Sequence, residues 1–102
     1  MTKLIQSYYC GASQSQIIYE TIGNYFDRTC GANPEGDALV VRHQNVRWSY
    51  QQLQEQVNSL AAGLLALGIQ TGDRVGIWGP NSVEWVMVQL ATAKIGAIMV
   101  CI

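Results

Sequence analysis

The C-terminal part of the chain alternates in a way that few folds satisfy. Residues 74–78 and 97–102 are apolar runs of strand length, and residues 82–95 between them form a longer, mostly apolar stretch. Strand-length runs on either side of a helix-length run predict a strand–helix–strand unit with parallel strands and a right-handed crossover. Parallel strands are usually covered on both faces, which agrees with the uninterrupted apolar character of both runs.

Turn and capping residues delimit the helix of this unit. Gly79 and Pro80 stop the first strand, Asn81 and Glu84 have the spacing of a capping pair, and Gly96 ends the helix. We expect this helix to be buried, because it is apolar on nearly every side. Domain ends are usually polar, so the apolar end of the sequence predicts that the natural fold continues past residue 102.

The clearest amphipathic helix covers residues 49–67. Ser49 and Gln52 form a capping box at its start, and Gly68 stands where a left-handed C-terminal cap is favoured. Its apolar face is predicted from the helical spacing of Tyr50, Leu53, Val57, Leu60, Ala61, Leu64 and Leu67.

The first half of the chain predicts one more helix and a β-hairpin. The spacing of apolar residues favours a helix over residues 16–29, and residues 37–42 and 46–48 are predicted strands joined by a tight turn at 44–45. The fold class is therefore α/β: a partial mixed sheet with a β-hairpin plus one βαβ unit with parallel strands.

Composition limits the functions that a chain of this size can have. The 102 residues suffice for one small domain, and 49% apolar with 13% charged residues argues against disorder. A net charge of −1 argues against a nucleic-acid partner, which normally requires a basic face. Residues 1–16 are interpreted as a leader of unknown role, and residues 17–102 as the domain.

The residues that could carry chemistry are dispersed. Cys10, Cys30 and Cys101 are odd in number and far apart, so we expect reduced thiols of an intracellular protein and neither a disulfide framework nor a zinc site. His43 lies at the hairpin turn without an assignable partner, and Lys94 lies near a helix C-terminus, where a cation is favoured.

The turn at residues 76–81 invites comparison with phosphate-binding loops. It joins a strand to a helix N-terminus, the geometry that binds phosphate in many proteins. The G-x-G-x-x-G and P-loop patterns are absent, and Pro80 removes an amide donor from the turn. We therefore interpret it as a strand-to-helix turn with its cap.

Four segments in order resemble one enzyme family. The Ser-Tyr and leucine of residues 46–53, the Gly-Asp-Arg-Val of 68–77, the Pro-Asn-Ser of 80–85 and the Gly-Ala that ends 90–97 resemble motifs of the adenylate-forming (AMP-binding) acyl-CoA synthetases. Residues 78–82 and 89–93 look most like the medium-chain acyl-CoA synthetase family member 2 group. The resemblance covers residues 17–102.

The resemblance implies an N-terminal subdomain of a fatty acyl-CoA ligase. The complete enzyme would use ATP, Mg²⁺ and coenzyme A to convert a fatty acid into acyl-CoA, AMP and pyrophosphate, in fatty acid metabolism. The family's Ser/Thr/Gly-rich ATP loop and catalytic lysine have no counterpart here, and Asp73 and Arg74 belong to a structural turn of the family pattern. We therefore assign no catalytic, cofactor-binding or metal-binding residue and expect the fragment to be inactive alone. A mitochondrial location is implied by the subgroup only.

Two alternatives remain open. The chain could be a non-catalytic module that associates, or aggregates, through its open final strand. It could also be a tail-anchored membrane protein, since residues 83–102 are long enough to span a bilayer. Glu84, Gln89 and Lys94 argue against a span, because a central charge costs about 2.5–3.5 kcal/mol on insertion scales.

Overall fold

The computed structural model describes residues 5–12 and 14–102. Within these residues, three α-helices and four strands follow one another: α1 (Ile22–Ala32), β1 (Asp37–Val41), β2 (Val46–Ser49), α2 (Tyr50–Ala66), β3 (Arg74–Ile77), α3 (Val83–Ile95) and β4 (Ile98–Cys101). The described residues before α1 form neither helix nor strand and are exposed. Part of the predicted leader, residues 1–4 and 13, lies outside the described residues.

Helix α1 begins later than the sequence predicts. The predicted helix covered residues 16–29, but the Thr21 hydroxyl accepts a hydrogen bond from the amide of Asn24 at 3.2 Å and fixes the start at Ile22. Ile17 is 89% exposed, so its side chain has no surface to pack against even though its position fits the helical spacing. The helix ends at Ala32, just before Pro34 excludes the helical conformation from Asn33.

The predicted hairpin is present, but its turn is different. Strands β1 and β2 pair antiparallel, with Val41 opposite Val46. Their connection is a short 3-10 turn over Arg42–Gln44, followed by Asn45 at φ 55°, in place of the predicted tight turn at 44–45. Asparagine is one of the few residues that tolerate this left-handed conformation, so it substitutes for the missing glycine.

Helix α2 starts and ends as predicted. The Ser49 hydroxyl accepts from the amide of Gln52, and the Gln52 side chain accepts from the amide of Ser49, which completes the capping box. At the other end Gly68 adopts φ 92°, and the amide of Ile69 donates to the carbonyl of Leu64. This is a Schellman ending, in which a left-handed glycine satisfies the last carbonyls of the helix.

Strands β3 and β4 are parallel, which confirms the βαβ unit. Arg74 pairs with Ile98 and Ile77 with Cys101, and α3 lies between the strands in sequence. The prediction of one mixed sheet was wrong, since β1–β2 and β3–β4 form separate two-stranded sheets. The hairpin packs on α2 and the parallel pair packs on α3, so the helices separate the two sheets.

The core lies where the three helices meet. Its buried residues are Phe26, Cys30, Leu53, Val57, Ala61 and Ala91. Helix α3 is less buried than its apolar character predicts, with only Val83, Ala91 and Thr92 fully covered. Helices α1 and α2 cover one side of α3 and leave residues such as Met87 and Val88 half-buried. No helix among the described residues is long and apolar enough to cross a membrane.

Candidate functional site

The carboxyl end of β3 brings together parts of the chain that are distant in sequence. Residues 78–82 lead from this strand into α3, and the indole N–H of Trp85 donates to the carbonyl of Gly79 at 3.0 Å. This bond closes the strand-to-helix turn from the first turn of α3. Ligands of open α/β sheets are usually bound at this end of the strands, which makes the turn the first place to look for a site.

The start of α3 is capped from the hairpin. The Gln44 carboxamide oxygen accepts from the amide of Val83 at 2.8 Å, and its nitrogen donates to a Glu84 carboxylate oxygen at 2.9 Å. Ser82, the residue before the helix, makes no side-chain capping bond. The predicted capping pair Asn81–Glu84 was therefore wrong, because a side chain 39 residues away takes the amide that a local cap would satisfy.

The charge at this helix start is negative. The hydrogen bond from Gln44 is the largest cause that lowers the pKa of Glu84. A bond to the Glu84 backbone, a bond to Ser82 and the charge of His43 lower this pKa further, and burial opposes them. Glu84 is therefore ionised at neutral pH and faces the positive end of the α3 dipole.

This arrangement is unfavourable for a phosphate at the turn. Gln44 occupies the amide of Val83, Pro80 has no amide hydrogen, and the Glu84 carboxylate would repel an anion. The interpretation of residues 76–81 as a structural turn therefore has a physical basis. The residues of this turn do not fit the phosphates of ATP, and no reaction step is assigned to them.

A second polar cluster joins all three helices. The Lys94 ammonium of α3 donates to Asp27 of α1 at 2.5 Å and to Asn58 of α2 at 2.6 Å, and Gln54 of α2 donates to the same Asp27 oxygen at 2.8 Å. Lys94 also lies 5.5 Å from the centre of the Phe26 ring. The Lys94 side chain is only 13% exposed, so this is a structural ion pair as well as a helix C-terminal cation.

The other residues considered from the sequence serve local structure. Asp73 accepts from the amide of Gln70 at 2.7 Å, and Arg74 donates to the carbonyl of Gly72 at 3.3 Å, so both belong to the turn before β3. His43 is exposed in the hairpin turn. These contacts give Asp73 and Arg74 the structural role that the family pattern implies.

The three cysteines are free thiols: Cys10 and Cys101 are exposed and Cys30 is buried. Burial is the largest cause that raises the pKa of Cys30, and the charge of Asp27 adds to it while Lys94 opposes it. Over residues 5–12 and 14–102, no group of three or more His, Cys, Asp or Glu side chains could hold a metal ion.

We expect Gln44→Ala to lower the free energy of unfolding by about 1 kcal/mol, within the range for lost helix caps. The substitution leaves the Val83 amide without its acceptor and releases the hairpin from α3. Urea unfolding followed by circular dichroism measures the change. Gln51→Ala is the control, because Gln51 also donates to a glutamate, but only to Glu55 within its own helix. Equal losses for the two variants would contradict the capping role.

Sequence reasoning missed Gln44 and the pairing of Asp27 with Lys94. Gln44 stands in a polar turn with nothing nearby to mark it as a cap, and Asp27 and Lys94 are 67 positions apart. For Asp27 and Lys94, the sequence shows only a polar residue within each predicted helix, and this does not identify the residue with which it pairs.

Known proteins are similar to this chain over nearly its whole length. The medium-chain acyl-CoA ligase ACSF2, mitochondrial, of Mus musculus is 45% identical over 96 residues, which cover 94% of this chain. The protein of the same name from Danio rerio is 38% identical over 99 residues. The chain spans 16% of the length of both relatives.

Solved structures agree with the fold. The N-terminal domain of FACL13 from Mycobacterium tuberculosis superposes with a TM-score of 0.78 at 37% identity, covering 81% of this chain and 21% of that one. The N-terminal subdomain of Klebsiella oxytoca NpsA superposes with a TM-score of 0.75 at 33% identity, covering 80% of this chain and 21% of that one. The family described as AMP-binding enzyme matches residues 26–102. With three quarters of its length inside that match, the chain belongs to the AMP-binding enzyme family of acyl-CoA synthetases.

Proposed function

We propose that this chain forms the N-terminal part of the adenylate-forming domain of a medium-chain acyl-CoA ligase, with residues 17–102 as the domain segment. The complete protein would join a medium-chain fatty acid to coenzyme A with ATP and Mg²⁺, and would release AMP and pyrophosphate. The observation that carries the proposal is the 45% identity to a medium-chain acyl-CoA ligase over nearly the whole chain.

The role of this segment within such a ligase is to support the fold. Its polar contacts between elements, Gln44 with α3 and Lys94 with Asp27, join elements to one another and face no common cavity. We propose that no catalytic, cofactor-binding or metal-binding residue lies in residues 17–102, and that the segment has no ligase activity alone. Catalysis would require the ATP loop and lysine of the complete domain.

A segment exchange tests this function. The matching stretch of the mouse ligase is replaced by residues 17–102, and acyl-CoA formation from a medium-chain fatty acid is measured beside ATP–pyrophosphate exchange. We expect the exchanged enzyme to retain activity within about tenfold, a loss of roughly 1.4 kcal/mol in transition-state stabilisation. The 102-residue chain alone is expected to give no exchange.

The controls separate a failed fold from a failed function. An exchanged enzyme that also carries Lys94→Met should have a lower melting temperature than the exchanged enzyme without it. Its activity per folded molecule should be nearly unchanged. A well-folded exchanged enzyme without activity on medium-chain acids would contradict the proposed function. Exchange activity by the isolated chain would contradict its inactivity.

The location proposed for the protein is the mitochondrion, because the similar ligase of Mus musculus is named as mitochondrial. A fusion of the chain to a fluorescent protein, compared with one that lacks residues 1–16, tests whether this stretch is required for import. Diffuse fluorescence from the full fusion would contradict the proposal.

A second candidate function is association through β4. The β3–β4 sheet has two strands, and Ile98 and Val100 of β4 are 48% and 39% exposed. An open apolar edge of this kind can pair with another strand or aggregate. Size-exclusion chromatography with and without a full-length ligase tests it, and a concentration-independent monomer in both samples would contradict it.

A further inference from the structure

A cleft lies between the hairpin turn and the start of α3, at the carboxyl end of β3. It is an open cleft of about 310 Å³ and is lined mainly by apolar groups, among them Ile77, Trp78, Pro80 and Trp85. Gln44 and Glu84 contribute its polar part. Two tryptophans and one carboxylate thus border the same small volume.

The two indoles differ in how firmly they are held. The ring nitrogen of Trp85 donates to the carbonyl of Gly79, which fixes this indole against the turn. Trp78 is 87% exposed, an unusual degree for the largest apolar side chain. A tryptophan that buries little surface in its own fold contributes little to folding, so its position beside a cleft suggests a contact with a ligand.

No cationic side chain among residues 5–12 and 14–102 forms an ion pair with the carboxylate at the cleft. Glu84 takes part in none of the three ion pairs found among the described residues, which join Arg28 to Glu20, Arg47 to Asp37 and Lys94 to Asp27. Its contact with Gln44 is a bond from a neutral amide, so only the α3 dipole and the nearby His43 offset its negative charge, and no ion pair among the described residues neutralises it. An anionic ligand is disfavoured here, and a cation is favoured.

From these contacts we infer that the cleft binds an organic ammonium group, held by the indoles of Trp78 and Trp85 and by the carboxylate of Glu84. Indole is the best of the side-chain rings for cation–π attraction, and aromatic groups beside a carboxylate are the arrangement that recognises alkylammonium ions. The cation could come from a small molecule or from a lysine side chain of another protein. This site is separate from the proposed ligase reaction.

Nuclear magnetic resonance of the three indole N–H groups tests the inference on the intact chain. The probes are choline, its neutral isostere 3,3-dimethyl-1-butanol, and Nα-acetyl-lysine amide. We expect saturable shifts of Trp78 and Trp85 with a dissociation constant on the order of millimolar, as for an exposed cation–π contact. Trp48, which is in β2 and does not border the cleft, should not shift.

Variants check the two kinds of contact. Trp78→Ala, at an exposed position, should weaken choline binding by roughly fivefold and leave the circular dichroism spectrum unchanged. Glu84→Gln should weaken it by a similar factor of about five, and added salt should reduce binding to the wild type as it screens the charge. Tighter binding of choline indicates a small-molecule source, and tighter binding of the lysine amide indicates a protein side chain.

Three results would overturn the inference. These are equal binding of the neutral isostere, parallel shifts of Trp48, and the absence of saturable binding by either cation. Unchanged affinity in a folded Trp78→Ala variant would also overturn it, because the exposed indole is the group on which the inference depends most.

Discussion

Replacing Phe26 by alanine is expected to lower the free energy of unfolding by about 3–5 kcal/mol, the range for large aromatic side chains removed from a core. Phe26 is 9% exposed and belongs to the buried cluster at the meeting point of the three helices. Leu90 of α3 packs against the same cluster, and the Phe26 ring lies 5.5 Å from the Lys94 ammonium. The substitution therefore removes both packing and a cation–π contact.

The stability loss expected for Phe26→Ala is large relative to the total free energy of unfolding. Domains of this size have total stabilities of about 5–15 kcal/mol, so Phe26→Ala should leave a substantial unfolded fraction at 37 °C. Urea unfolding followed by circular dichroism measures it. Phe26→Leu, which keeps most of the volume, should cost less than about 1.5 kcal/mol.

Tyr25→Ala is the matched control for this prediction. Tyr25 is the next residue of α1, but its side chain is 42% exposed and contacts Arg28 of the same helix. We expect a loss below about 1 kcal/mol, as for surface positions. Similar losses at positions 25 and 26 would mean that the three helices do not meet as described.

Lys94→Met should lower the free energy of unfolding by about 1.5–3 kcal/mol, the range for hydrogen bonds to charged groups. The variant keeps most of the side-chain volume but removes the ammonium donor from Asp27 and Asn58, while Gln54 still donates to Asp27. The Asp27 side chain is 44% exposed, so water can replace part of the lost interaction and the upper end of the range is not expected.

A double-mutant cycle with Asp27→Asn isolates the pair. We expect a coupling energy of about 0.5–2 kcal/mol, because the two side chains are in direct contact. The matched control is the pair of Arg28 and Glu20, in which Arg28 is 64% exposed and the coupling should stay below about 0.5 kcal/mol. Additive losses at positions 27 and 94 would contradict the structural role of the ion pair.

The same pair predicts a dependence of stability on pH. Burial alone would raise the pKa of Asp27, but hydrogen bonds from Lys94 and Gln54 and the charge of Lys94 outweigh it, so the pKa lies below its ordinary value of 3.8. Because the folded state has the lower pKa, the stabilisation is present above pH 3.8 and is lost as the pH falls through the folded-state value. Unfolding experiments between pH 7 and about 3 should show a smaller acid loss for Asp27→Asn than for the wild type. Identical profiles would contradict this assignment.

Local chemistry in the sequence was sufficient for several elements. The Ser49–Gln52 capping box and Gly68 define α2 because their hydrogen bonds span three to five residues, which a sequence pattern can specify. Gly96, at φ 76°, likewise ends α3, as predicted. The apolar runs predicted the parallel pairing of β3 with β4, since two strands joined by a helix return in the same direction.

Other predictions failed where packing competed with local pattern. The spacing of Ile17 and Ile18 favoured a helix, yet the Thr21 cap decided its start because no other element covers these side chains. The uniform apolar character of α3 predicted burial, but burial depends on the neighbours that a helix has, and α1 and α2 cover only one side.

The sequence by itself therefore determined the helices α2 and α3, the hairpin strands, the βαβ unit and the family to which the chain belongs. Only the tertiary structure decided that Gln44 caps α3 and that Lys94 pairs with Asp27. It also decided that a side chain at Gly23 would crowd α3, since a Cβ there would lie 3.2 Å from the Lys94 Cγ. The physical reason is range: caps and periodicity act within a few residues of the chain, whereas these contacts form between residues 39 to 71 positions apart once the helices have packed.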